Sequence, residues 1–181
     1  MPSISADGRY VAFQSSANNL VPGDGNFVSD IFVHDRDVSG SGIFDVPGNL
    51  QTTRVSVDNT GAQADSGSYS PSISADGRFV SFESYASNLV TGDTNGYWDV
   101  FVHDRQTGIT TRVSVDSAGA EGNSDSYSPS ISADGRYVAF YSYASNLVAG
   151  DGNNSTDIFV HDRQTGVTAR VSVDSAGAEG D

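Results

Sequence analysis

The 181-residue chain carries a formal net charge of −14; all nine basic residues are arginine, and 20 of the 23 acids are aspartate. Such a surface repels nucleic acid and anionic lipid, so neither is an expected partner. There is no cysteine, which excludes disulfides, thiolate metal sites and cysteine nucleophiles, and no apolar run approaches the ~20 residues of a membrane span.

In chain order, Met1 stands directly on PSISADG, a sequence that recurs from Pro71 and Pro129. A start inside a repeat points to a segment of something longer, so missing targeting signals carry no weight. Pro2, Pro71 and Pro129 open equivalent units 69 and 58 residues apart. The 11 extra residues of the first unit lie in DVSGSGIFDVPGNLQ, between Arg36 and Thr52. Pro71–Asn123 and Pro129–Asp181 are identical at 41 of 53 positions. The units are set at 1–66 (with an insertion at 37–50), 67–124 and 125–181.

Each unit reads as four short strands. SPSIS ends at ADGR, whose Asp-Gly centre signals a two-residue hairpin turn. RYVAFQS, RFVSFES and RYVAFYS form the second strand, DIFVHD or DVFVHD the third, and RQTG supplies a turn. TTRVSVD closes the unit, with Val113 and Val115 alternating with Arg112 and Ser114. No window shows a helical stripe, so the chain is expected to be all-β.

SPSISADGRYVAFYS, DIFVHDRQTG and ARVSVD together resemble the TolB-type, WD40-like (PD40) β-propeller repeat. The resemblance covers all three units and implies three four-stranded antiparallel blades, with a periplasmic or extracellular setting in a bacterial protein. Propellers close with about 4–8 blades. Three blades therefore leave two open flanks, with apolar residues such as Val11, Phe13, Ile31 and Val33, or their copies, exposed there. Two chains in a homodimeric ring make the six blades that TolB-type propellers resemble. The alternative architecture is a β-trefoil, a closed monomer with pseudo-threefold symmetry.

Propeller topology gathers the loops after the second strand and the links between units at one rim, and the Asp-Gly hairpins and the insertion at the other. The first rim repeats Asp-x-Asn-x-x-x-Asp as Asp24/Asn26/Asp30, Asp93/Asn95/Asp99 and Asp151/Asn153/Asp157. Calcium takes six to eight oxygen ligands, and this spacing can aim two side chains and a carbonyl inward. The pattern resembles the calcium loops of integrin-type propellers, two residues shorter and without the middle carboxylate. The competing reading is a turn in which Asp and Asn cap local N–H groups. Within the insertion, Asp37, Ser39, Ser41 and Asp45 match the nine-residue calcium spacing, with serines replacing two carboxylates; a glycine-rich hairpin loop is the competing reading. The second and third units differ most on the rim loop, where Tyr97 and Trp98 stand against Ser155 and Thr156. That aromatic pair suits a stacked sugar or peptide, or the covering of a neighbouring blade.

His34-Asp35, His103-Asp104 and His161-Asp162 suggest a base with its orienting carboxylate. Adjacent strand residues point to opposite faces, however, so neither pairs with the other in place. The histidines are expected between blades with a ring nitrogen on a backbone or hydroxyl partner, and the aspartates beside Arg36, Arg105 and Arg163. No nucleophile motif is present. The expected function is a non-catalytic repeat module, a binding and assembly scaffold with an unidentified protein, peptide or glycan ligand and calcium in its rim loops. Two alternatives stand beside it: an accessory propeller of a hydrolase or glycosidase, and an excised or engineered repeat segment with no function of its own.

Overall fold

The computed structural model describes residues 1–153 and 155–180. Twelve strands fall in three groups. The first unit holds β1 (Ser3–Ile4), β2 (Tyr10–Ser15), β3 (Asp30–Asp35) and β4 (Gln51–Arg54). The second holds β5 (Ser68–Ile73), β6 (Phe79–Ser84), β7 (Asp99–Asp104) and β8 (Ile109–Arg112). The third holds β9 (Ser126–Ile131), β10 (Tyr137–Ser142), β11 (Asp157–Asp162) and β12 (Val167–Arg170). Each group is one four-stranded antiparallel sheet in sequence order. Among the described residues no strand pairs with a strand of another unit, so no barrel closes and the trefoil alternative is overturned. The same cross-strand pair recurs in each sheet: Phe13 on Phe32, Phe82 on Phe101 and Phe140 on Phe159, with centroids 5.8, 6.0 and 5.9 Å apart.

Alternation explains why these sheets stack. The β3/β4 face of one unit packs on the β5/β6 face of the next: Ile31, Val33 and Val55 meet Ile73, Val80 and Phe82. The second seam repeats this with Val100, Val102 and Val113 against Ile131, Val138 and Phe140. Backbone bonds tie the turns together, from Ala6 N to Ala75 O and from Ala75 N to Ala133 O, both 2.9 Å.

The outer two faces have no such cover. Val100 and Val113 are 0% and 1% exposed, whereas their counterparts Ile158 and Val171 are 41% and 48% exposed. At the other end Ile4 and Leu20 are exposed where Ile73 and Leu89 are buried. Of the residues expected at the flanks, or their copies, the second sheet buries Ile31 and Val33 themselves, while Val11 and Phe13 are half-buried; of the third-unit copies, Ile158 is exposed and Val160 half-buried.

At the hairpin rim an arginine clamps each Asp-Gly turn. Arg105 Nη1 donates to Gly77 O at 2.6 Å, and its guanidinium lies 4.4 Å above the ring of Tyr10 from the preceding sheet. Arg163 repeats this on Gly135 O and Phe79, at 2.5 and 4.3 Å. The rings press so closely that a Cβ on Gly77 or Gly135 would lie 2.0 or 2.1 Å from them. The first unit has no preceding sheet, and the insertion supplies the ring instead. Arg36 Nη1 donates to Gly8 O at 2.8 Å and lies 4.9 Å over Phe44.

Candidate functional site

The rim loops are built around strand-end arginines. Arg112, the last residue of β8, places Nη1 3.1 Å from Asp93 Oδ1, 3.2 Å from Asp99 Oδ2 and 2.9 Å from Glu121 Oε2. Arg170 meets Asp151, Asp157 and Glu179 at 3.3, 3.3 and 2.7 Å. In the first unit Arg54 lies 3.3 Å from Asp24 and 3.7 Å from Asp30, without hydrogen-bond geometry. Gln63 there replaces the glutamate.

The loop asparagines point their nitrogens inward. Asn95 Nδ2 donates to Asp99 Oδ2 and Gly122 O at 2.9 and 3.1 Å, while its oxygen accepts the Tyr97 N–H. Asn26 and Asn153 do the same toward Asp30 and Asp157. Serines complete the shell: buried Ser56 Oγ donates to Asp30 at 2.6 Å and buried Ser114 Oγ to Asp99 at 2.5 Å, and the half-buried Ser172 donates to Asp157. Burial pushes Asp93 up to about 6, with the neighbouring Asp99 charge adding to it and Arg112 opposing it. Burial likewise raises Asp30, Asp99 and Asp151. The structure thus brings both aspartates of each loop together, but around a guanidinium. As placed, these groups do not fit a hard cation, because amide nitrogens face the second carboxylate and an arginine lies where the ion would sit. Among the described residues no group of three or more His, Asp and Glu side chains is arranged to hold a metal ion.

The four insertion residues divide into two sets. Asp37 accepts from Ser39 Oγ and Ser41 Oγ at 3.0 Å each, from Asn49 Nδ2 at 2.7 Å and from Gly42 N at 2.5 Å. Burial alone would raise this carboxyl, yet the donors outweigh it and hold it well below the usual range. Asp45 turns away into a bidentate pair with Arg36 at 2.9 and 2.5 Å.

His103 and His161 lie between sheets, whereas His34, half-buried, keeps the threonine contact (Nδ1 to Thr52 Oγ1 at 2.9 Å) with no preceding sheet against it. His103 Nδ1 is 2.9 Å from Thr110 Oγ1, whose hydroxyl donates to Val57 O of the preceding unit at 2.6 Å. With that proton committed, Thr110 accepts and the histidine carries its proton on Nδ1. His161 and Thr168 repeat the arrangement onto Val115 O. Burial lowers His103 to about 4 and depresses His161 as well, so both are neutral at neutral pH. The adjacent aspartates do not pair with Arg36, Arg105 and Arg163 as expected. Asp35, Asp104 and Asp162 form bidentate pairs with Arg9, Arg78 and Arg136 from the Asp-Gly turn, at 2.6–2.9 Å. The pleat turns each neighbouring arginine to the opposite side, where it makes the clamps described above.

Trp98 lies amid a row of rings, 5.6 Å from Tyr69, 5.6 Å from Tyr85 and 5.9 Å from Tyr127 of the next sheet. The row continues to Tyr141 and Tyr143 at 5.5 and 6.3 Å. Trp98 therefore covers a seam, one of the two roles its sequence allowed. A cleft of about 480 Å³ beside it, lined by Phe27, Tyr69, Tyr85 and Trp98, was not expected. Its only signal in the sequence is Ser16 and Ser29 at the positions of Tyr85 and Trp98.

Stacked four-stranded sheets of this kind occur in TolB from Acinetobacter baumannii, at a TM-score of 0.52 and 19% identity over 98% of this chain and 32% of that one. The fold is that of the TolB-type β-propeller. A putative TolB from Agrobacterium tumefaciens gives 0.52 and 18% over 93% of this chain and 47% of the other. The AtxE2 isopeptidase gives 0.52 and 14%, over 94% and 28%. The chain thus spans less than half the length of each of these three proteins. No family model and no curated protein matches it. The three sheets are propeller blades, and among the described residues no helix is long and apolar enough to cross a membrane.

Proposed function

We propose that this chain is a non-catalytic propeller module that works by assembly and binding, its two open blade faces closing a six-bladed ring with a second copy. One observation carries the reading. The outer faces expose counterparts of the residues that form the two internal seams: Ile158 and Val171 at the trailing end, Ile4 and Leu20 at the leading end. Each buried Val or Ile of this kind contributes about 1.5–3 kcal/mol. A head-to-tail contact between copies therefore repeats a packing the chain already makes twice.

The neutral, hydroxyl-bonded His103 and His161, and acids that recur in every blade, support a role without catalysis. In this reading the rim loops are turns neutralised by arginine rather than calcium sites. A periplasmic or extracellular setting is proposed on the TolB likeness alone. Light scattering in calcium and then in chelator tests the reading. The expected mass is twice 18.9 kDa in both, falling to one copy on Ile158→Glu. A monomer at every concentration overturns self-assembly; a mass that falls in chelator restores calcium to the rim.

A further inference from the structure

The two seams should be alike, yet one has its aromatic wedge and the other does not. At the second seam the backbone oxygen of Trp98 accepts the Ser126 N–H at 2.7 Å, and the indole fills the space among Tyr69, Tyr85 and Tyr127. At the first seam Ser29 occupies the same place, its oxygen accepting the Ser68 N–H at 2.7 Å. The backbone is equivalent, but the indole is missing. Ser16 also stands where the second blade has Tyr85. These two serines leave the cleft of about 480 Å³ between the first and second blades, within the usual range for ligand sites of ~300–1,000 Å³.

The walls define what fits. Tyr69, Tyr85 and Trp98 present rings, the serines present hydroxyls, and no charged residue lines the space. Gly67 stands where the second seam has Asp125, and the Tyr69 ring lies across it, 2.8 Å from where a Cβ would be. At the lip Phe27 is 81% exposed, with a left-handed φ of 58° where the second blade uses Gly96 at 68°. Such a conformation costs about 1–2 kcal/mol for a residue with a side chain. Water gains nothing from a phenyl ring held there, whereas an apolar guest would.

We propose that this cleft receives an aromatic side chain, tryptophan foremost, presented by a peptide or protein partner. This rests on reading the chain as a binding module. Trp98 shows the mode, since the chain fills the equivalent slot of the other seam with its own indole. The net charge of −14 favours a segment with basic residues beside the aromatic one.

The test is calorimetric titration of acetyl-Lys-Trp-Lys-amide against acetyl-Lys-Leu-Lys-amide and maltohexaose. The tryptophan peptide is expected to bind once per chain, about tenfold or more tighter than the leucine peptide. Ser29→Trp should fill the cleft from within, abolishing binding while raising the melting temperature. Should that variant fail to fold, Phe27→Gly provides the second reading: binding weakened several-fold with the fold retained. No binding at millimolar peptide, equal binding of the leucine peptide, or binding unchanged in the variants overturns the proposal. Tighter binding of maltohexaose overturns it in favour of a glycan. One site per chain is expected in monomer and dimer alike, so failure of ring closure leaves this result independent.

Discussion

Replacing Arg112 with methionine keeps the length of the side chain and removes the charge that three carboxylates share. The Asp99 carboxylate is fully buried, and those of Asp93 and Glu121 approach the same guanidinium nitrogen at 3.1 and 2.9 Å. At an effective dielectric of about 20 each close contact is worth about 5 kcal/mol of gross Coulomb attraction, most of it offset by desolvation. Losing one partner of such a buried pair costs about 3–5 kcal/mol net, a fall of about 10 °C in Tm for a chain of this size. The sign with pH follows from Asp93. Burial has raised its carboxyl to about 6, above its unfolded value, so its ionised form strains the fold above that pH and protonation relieves it below. Without the guanidinium the strain grows and Asp99 joins it, so the deficit of the variant should be largest near pH 8 and shrink toward pH 5. Vacating the arginine should also give the variant a calcium-dependent gain in Tm that the wild type lacks. Thermal unfolding at both pH values, in calcium and in chelator, measures all of this. A loss below about 1 kcal/mol at pH 8, or a deficit independent of pH, refutes the account.

Other outcomes follow from the seams and the insertion. Gly135→Ala places a methyl 2.1 Å from the Phe79 ring at a φ of 72°, and should cost more than about 2 kcal/mol by chemical denaturation, since clash and backbone strain add. His103 has a folded value near 4, well below its unfolded one. Its contribution is present above the unfolded value near 6.5 and is lost as pH falls from there toward 4. His103→Gln should flatten that part of the stability profile in urea titrations. Asp37→Ala removes the acceptor for four donors and should make 38–48 the first site of limited proteolysis while the blades stay folded; cleavage elsewhere first would contradict it.

Much of the fold was legible because its signals are local. An Asp-Gly pair between alternating runs specifies a hairpin, and three copies of the signal specify three sheets. The adjacent His-Asp pair was legible for the same reason, since the pleat separates neighbours. What stayed hidden depends on register between strands. Asp104 pairs with Arg78, 26 residues earlier, because β6 and β7 run side by side, and nothing near Asp104 in the chain announces it. Arg112 as the cation of the acidic loop is another such case: the carboxylates read as a cage, but the residue that fills it comes from β8. Exposure is still less local. Ile31 and Ile158 occupy equivalent positions in copies of DIFVHD, and only the presence of a following sheet makes one core and the other surface.

Phe44 gives the array a direction. Tyr10 and Phe79 each reach forward to the arginine and glycine of the following blade, and Tyr137 is the ring that the last blade offers in turn, 39% exposed. The first blade does not wait for such a ring, because its insertion has already supplied one. Under the proposed head-to-tail closure, an incoming copy would trade Tyr137 for Phe44 at that rim, one ring for another, above the apolar face left open beneath. The insertion thus gives the first blade the ring that Tyr10 gives the second and Phe79 the third.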